Sequence, residues 1–222
     1  MNKFLTILAV GLLFVISSCV DIFDEVILHK DGSGTYKYSI NMSASKVKIN
    51  SILALDSING RRVPKLQEIK DKIALYRQKL EEKPGISNVL VDANYTDFVF
   101  KISCDFESIA ALQLALHQIM LEESNDRNDA IFSQNWITWD GQKMVRSIPN
   151  LDAPIHKLKP EDQELLKNGK YISVTRFDVP VLKCENPNAQ ISPSKTAVML
   201  KSNPYAVAKN PSLLQNTIYV QD

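Results

Sequence analysis

The chain is poor in the residues on which most recognisable chemistry depends. Among 222 residues there are 7 glycines, 3 cysteines and 3 histidines, and aromatics make up 8%. Phosphate-cradling loops and dinucleotide fingerprints need closely spaced glycines so that backbone N–H groups can approach a phosphate, and neither pattern occurs. His29, His117 and His156 fall on an expected strand, helix and connector. None has a serine, cysteine or carboxylate at a spacing that predicts a catalytic triad, so they read as structural or surface side chains. No histidine stands at ligand spacing from a cysteine, which excludes a structural zinc motif. Asn125-Asp126-Arg127-Asn128-Asp129 has the alternation of a calcium loop, but Ala130 occupies the next ligand position and no distal Glu follows in place. No cofactor and no metal are expected. Charge of one sign is also missing, with 26 basic against 25 acidic residues, so nothing points to nucleic acid as a partner.

The amino end carries the first positive signal. Lys3 precedes the apolar run Phe4 to Ile16, and Ser17 and Ser18 stand directly before Cys19, which is the three-part layout of a secretory signal. The run is shorter than the roughly 20 residues that a helix needs to cross a bilayer core. Ile16-Ser17-Ser18-Cys19 resembles the lipobox of bacterial lipoproteins. That resemblance implies that signal peptidase II cuts before Cys19 and that the Cys19 thiol carries a diacylglyceryl group, with further acylation of the new amino terminus by chains such as palmitate. Each buried methylene is worth about 0.8 kcal/mol, so two or more chains give stable anchoring. Loss of residues 1–18 removes Lys3 and no acid, which leaves 25 basic and 25 acidic residues. No later apolar run is long enough to span a membrane, and the expectation is a soluble domain tethered through Cys19.

Beyond Cys19 the pattern alternates between strands and helices. Val26-Ile27-Leu28, the turn Asp31-Gly32-Ser33-Gly34 and the alternating Tyr36, Tyr38, Ile40 and Met42 predict a hairpin. Ser43 is a candidate cap for a first helix with Val47, Ser51, Ile52 and Leu55 inward. After a break at Asn59-Gly60 a second helix follows Pro64, with Leu66, Ile69, Ile73, Tyr76 and Leu80 at helical spacing until Lys83-Pro84-Gly85. Val89-Leu90-Val91 and Phe98 to Cys104 read as strands. Asp105 can cap a third helix, whose inward stripe is Ile109, Leu112, Leu116 and Ile119. A second hairpin is expected around Asp140-Gly141. The tail holds a short helix near Glu161 to Lys167 and strands over Tyr171 to Phe177, Thr196 to Leu200 and Thr217 to Val220, punctuated by Pro and Asn turns.

This order, β-β-α-α-β-β-α followed by a strand-rich tail, predicts an α+β fold with an antiparallel sheet packed by amphipathic helices. The expected organisation is a signal peptide over 1–18, an α+β domain over 19–148, a Pro-punctuated connector over 149–160 and a strand-rich part of the same domain over 161–222.

The Cys-anchored opening, the strand-Asp31-Gly32-Ser33-Gly34-strand unit, and the late strand through Pro180 into Asn186-Pro187-Asn188-Ala189 and Lys195-Thr196-Ala197-Val198 look like bacterial lipoproteins with an LppM-type domain. The resemblance implies an α+β fold compared with lipid-binding proteins and a role at the cell envelope. The lipobox and the nearby acids Asp21, Asp24 and Glu25 also resemble lipoproteins of the Bacteroidota, in which early acidic residues direct export to the cell surface. Asp56-Ser57-Ile58 resembles the O-glycosylation acceptor of the same group, which makes Ser57 a candidate modification site.

Three further features bear on function. Cys104 and Cys184 lie in apolar alternating stretches, where they can pair outside the cytoplasm or pack as small free hydrophobes. Phe132, Trp136 and Trp139 can form an exposed platform for a sugar or a protein, although aromatics of an α+β domain more often lie in its core. The large residues available to fill the space between sheet and helices favour a dry core over a lipid cavity. The reading is therefore a non-enzymatic envelope lipoprotein, on the outer membrane facing the periplasm or the cell surface. Its domain binds an envelope protein or an amphiphile. The alternatives are a lipid carrier of LppM type and a hydrolase of envelope polymers.

Overall fold

The computed structural model describes residues 19–58, 60–123, 135–147 and 158–222. The expected signal peptide, the motif 125–129, Phe132, His156 and most of the connector lie outside them. In chain order the elements begin with β1 (Asp21–Leu28), β2 (Gly34–Asn41), α1 (Lys46–Leu53), the short β3 (Ser57–Ile58) and β4 (Arg61–Arg62), and α2 (Leu66–Glu81). Next come β5 (Ile86–Asn94), β6 (Val99–Phe106), α3 (Ile109–Glu123), β7 (Ile137–Trp139) and β8 (Lys143–Arg146). The last part holds α4 (Pro160–Asn168), β9 (Tyr171–Phe177), β10 (Val181–Cys184), β11 (Gln190–Ile191), β12 (Ala197–Ser202), α5 (Pro204–Lys209) and β13 (Asn216–Val220).

The strands form a seven-stranded sheet in the order β11-β12-β9-β1-β2-β6-β5, a four-stranded sheet in the order β10-β13-β8-β7, and the small β3-β4 pair. The fold is α+β as expected, but the larger sheet is mixed. β1 runs antiparallel to β2 and parallel to β9, with Ile22 opposite Tyr171 and Leu28 opposite Phe177. A parallel pair needs a long crossover rather than a hairpin, and here everything from β2 to α4 supplies it. The tail thus places β9 at the centre of the sheet, against the first strand.

Alternation along β1 sends Asp24, Val26 and Leu28 to one face and Phe23, Glu25 and Ile27 to the other. The first face makes the core. Val26, Leu28, Cys104, Phe106 and Phe177 meet Leu112 and Ala115 of α3 there, together with Ile137, Met144, Ile218 and Val220 of the second sheet. Ile109 and Leu112 are buried, and Leu116 and Ile119 pack on the same cluster, so the inward stripe expected for α3 is the observed one. In α2 only Leu80 is buried, and Leu66 is 38% exposed.

Several local expectations need correction. α1 has no buried residue, and Val47 is 67% exposed rather than inward. Ser43 does not cap it; residues 43–45 form a 3₁₀ turn, with the Ser43 N–H donating to Asn41 Oδ1. The helix N-terminal contact at α3 comes from Ser108, whose Oγ accepts from the Ala111 N–H at 3.1 Å. Asp105 instead stays in β6 and accepts from Thr35 Oγ1 at 2.6 Å and Asn88 Nδ2 at 2.7 Å. In the first hairpin Gly32 has φ +88, the left-handed region that favours glycine, whereas Gly34 serves close packing. A Cβ on Gly34 would collide with the Ile27 carbonyl oxygen and the Phe106 ring.

Candidate functional site

A polar cluster pierces the core, and a cavity opens beside it. Asp24 faces inward from the middle of β1 and is 1% exposed. Arg146, the last residue of β8, reaches it from the second sheet: Nη1 donates to Asp24 Oδ1 at 3.0 Å and Nη2 to Oδ2 at 3.1 Å. Tyr171, opposite Ile22 in β9, adds its hydroxyl to Oδ2 at 2.7 Å. Arg146 Nη1 also donates to Ser173 Oγ. This is the bidentate fork that matches guanidinium to carboxylate. Burial acts against the charge on Arg146, but the facing Asp24 carboxylate more than offsets it and holds its pKa above the ordinary arginine value. Burial drives the Tyr36 and Tyr171 hydroxyls far above the ordinary tyrosine range, reinforced by the negative Asp24, and pushes Tyr38 up to about 12. All three phenols are therefore neutral at physiological pH, and Tyr171 is the one that donates to Asp24.

The cavity has a volume of about 170 Å³ and lies between the cluster, α3 and β7. Leu112, Leu116, Met120 and Trp136 give it a mainly apolar lining, with Asp24, Arg146 and Tyr171 on one side. Gln113 of α3 is buried and ties β7 in place, its Oε1 accepting from the Trp136 N–H at 2.5 Å and the Ile137 N–H at 3.0 Å. The His117 and Trp136 rings meet edge to face at 4.8 Å, and among the described residues neither His117 Nε2 nor Trp136 Nε1 finds a hydrogen-bond partner. Burial lowers the His117 pKa, so the ring is neutral at physiological pH.

The other face of the sheet carries a larger, more open groove of about 400 Å³. Phe23, Lys37, Leu90 and Lys101 of the sheet line it, with Arg77 of α2. Leu90 is 66% exposed there. Glu25 faces the same side of the sheet and is nearly buried under two cations, with Arg176 Nε at 2.5 Å and Lys37 Nζ at 3.2 Å. Burial of the carboxyl works to raise its pKa, but these hydrogen bonds and charges outweigh it and the net shift is downward. A carboxylate with a depressed folded-state pKa stabilises the fold above its unfolded value, and that contribution disappears as pH falls through the folded one. Stability should therefore decline on acidification below the ordinary glutamate value near 4.5, and Glu25→Gln should flatten that part of a pH-dependent denaturation series. An unchanged slope in the variant would show that other carboxylates carry the acid response.

The residues singled out from sequence are scattered. Trp136 lines the cavity, whereas Trp139 packs on Phe177 with ring centroids 5.9 Å apart and donates its indole N–H to the Lys30 carbonyl at 3.2 Å. The two tryptophans are half-buried against the core and do not form a shared exposed platform. Cys104 and Cys184 are not paired; both thiols are free, and burial raises Cys104 to about 11. Ser57 is exposed on β3. The acids Asp24 and Glu25 are built into the sheet, so their chemistry is spent on the fold. Cys19 is half-buried beside the start of β1, and its carbonyl accepts from Ser45 Oγ at 3.1 Å. Among the described residues no helix is long and apolar enough to cross a membrane, and no group of three or more metal-ligating side chains occurs.

The Asp24–Arg146–Tyr171 cluster escaped sequence reasoning because its members lie far apart in the chain. One signal was present: Asp24 interrupts the inward series Ile22, Val26, Leu28, where an acid requires a buried partner.

No protein-family model matches this sequence, and no curated protein matches it. Among solved structures the chain is similar to the NMR structure of the folded domain of Mycobacterium tuberculosis LppM, at 12% identity and a TM-score of 0.42, over 94% of this chain and 93% of that one.

Proposed function

We propose that this protein is a lipid-anchored component of the bacterial cell envelope that works by binding a second envelope protein, without catalysis. The observation that carries the reading is the state of the internal site. Its volume of about 170 Å³ is below the roughly 300–1,000 Å³ of pockets that enclose small molecules, so this cavity as it stands is small for an acyl chain. Its charged groups are also committed: both Asp24 oxygens are taken by Arg146 and Tyr171, which leaves neither a free base nor a free acid to meet a substrate. The larger opening is the groove on the other face of the sheet, where exposed Leu90 stands among Lys37, Arg77 and Lys101. Each of these cations is already paired, Lys37 with Glu25, Arg77 with Glu81 and Lys101 with Asp92. The groove therefore offers an apolar contact rimmed by ion pairs, the composition of a protein–protein contact rather than of a site for a single anion.

Native mass spectrometry of the protein released from its host membrane tests this reading. The expected spectrum shows only the chain with its covalent lipid. A noncovalent lipid in stoichiometric amount would overturn the reading in favour of a carrier, whose apolar cavity would then have to open. The anchor is tested separately: Cys19→Ser should accumulate as an unlipidated precursor lacking the mass of the acyl chains, and unchanged detergent partitioning of that variant would exclude Cys19 as the attachment point.

A further inference from the structure

We infer that the end of the domain around Cys19 lies directly on the bilayer, with the phospholipid headgroups of the membrane that holds the anchor as its binding surface. The inference rests on the proposed lipidation of Cys19 and adds what the fold does with it. β1 begins at Asp21, so only Val20 separates the lipid-bearing residue from the central sheet. Two extended residues span about 7 Å. Even that short link is tied down. The Cys19 carbonyl accepts from Ser45 Oγ at 3.1 Å, the Ile22 N–H donates to the Lys170 carbonyl at 2.7 Å, and the Lys170 N–H donates to Asp21 Oδ1 at 2.9 Å. Gly169 packs against the Val20 carbonyl so closely that any Cβ there would collide with it.

The anchor is therefore coupled to the whole domain, because β1 is hydrogen-bonded along its length on both sides, to β2 and to β9. Acyl chains that leave Cys19 for the membrane fix which end faces it. Register identifies the elements that finish at that end: Asn41 lies opposite Asp21, Val99 opposite Asn41, and Asn94 opposite Val99, while Tyr171 lies opposite Ile22 and Ser202 opposite Tyr171. The start of α1, the end of α4 and the start of α5 gather there with them.

The chemistry of this end fits a headgroup layer. Val47, in the first turn of α1, is 67% exposed, and packing among the described residues does not cover its apolar side chain. Lys46 and Lys48 beside it are paired with Asp97 and Asp162 at 2.8 Å and 2.6 Å, so their charges do not require a separate partner. Tyr205 of α5 lies beneath the ammonium groups of Lys167 and Lys209, at 5.0 Å and 5.4 Å. Lys167 also pairs with Glu164, which leaves Lys209 as the cation offered to phosphate. Tyrosine with lysine is the composition that settles at a membrane interface, the ring among headgroup and upper acyl atoms and the cation near phosphate. The β1–β2 turn at 29–33 lies at the opposite end, a strand length of roughly 25 Å away. A protein partner must then be met from the groove or from the distal end.

The test uses the full lipidated protein in phosphatidylethanolamine–phosphatidylglycerol vesicles, with a photo-crosslinking amino acid at Val47 or, in a second variant, at Lys30 in the distal turn. Phospholipid adducts are read by mass. Since the two sites stand about 25 Å apart along the membrane normal, the Val47 probe should give roughly an order of magnitude more adduct. Equal yields from protein that floats with the vesicles would overturn the docking while leaving the anchor intact. Protein that neither floats nor carries the diacylglyceryl mass would overturn the anchor and the docking with it.

Discussion

Asp24→Asn should remove about 3–5 kcal/mol of unfolding free energy, because it leaves a buried guanidinium without its counter-charge. The Asp24 and Arg146 side chains are 2% and 12% exposed, so water cannot replace the lost carboxylate. Tyr171 loses a charged acceptor as well, since its hydroxyl donates to the same oxygen that Arg146 Nη2 holds. The amide keeps the shape of the carboxylate, so the loss measures charge rather than volume. The pair itself is a different matter, because desolvating two ions costs nearly as much as their attraction returns. Asp24→Leu combined with Arg146→Met should therefore recover most of the deficit, with both variants compared by urea denaturation. A loss below about 1 kcal/mol for Asp24→Asn would show that the cluster is reached by water and that the two sheets are not locked through it.

Leu112→Ala should cost about 2–5 kcal/mol, towards the upper part of that range. Leu112 is 1% exposed, belongs to the central cluster, and lines the existing cavity of about 170 Å³. Truncation joins new empty volume to old, and α3 cannot collapse inward because Gln113 holds β7 at its present distance through two backbone hydrogen bonds. Ile73→Ala on α2 provides the contrast. That residue is only half-buried, so its loss should be about 1 kcal/mol, in proportion to the smaller area withdrawn from water. Equal losses in thermal or chemical denaturation would mean that α2 contributes to the core as fully as α3.

Helical periodicity placed α3 correctly because its inward stripe is continuous and its partner is the core itself. The same rule misplaced the face of α1. A short helix with Val47, Ile52 and Leu55 on one side meets no apolar surface large enough to cover it, and Val47 and Leu55 stay exposed at 67% and 46%. Turn chemistry was local and therefore legible: Gly32 and Gly141 adopt φ of +88 and +96 where the two hairpins were expected. The span of β9 was legible too, Tyr171–Phe177, but not its neighbours.

By itself the sequence determined the α+β composition, the two hairpins, the inward stripe of α3 and the absence of any glycine-rich loop, since each depends on residues within a few positions of one another. Only the tertiary structure decided that β9 runs parallel to β1, that Cys104 and Cys184 stay unpaired, and that Asp24, Arg146 and Tyr171 meet in the core. Those outcomes depend on long-range closure. A carboxylate on the first strand finds its partners 122 and 147 positions later, and no local pattern encodes which strand will lie beside it. The placement of Cys19 is of the same kind. The motif marks the residue, but the seating of Val20 against Gly169 and of Asp21 against Lys170 decides that it has no slack.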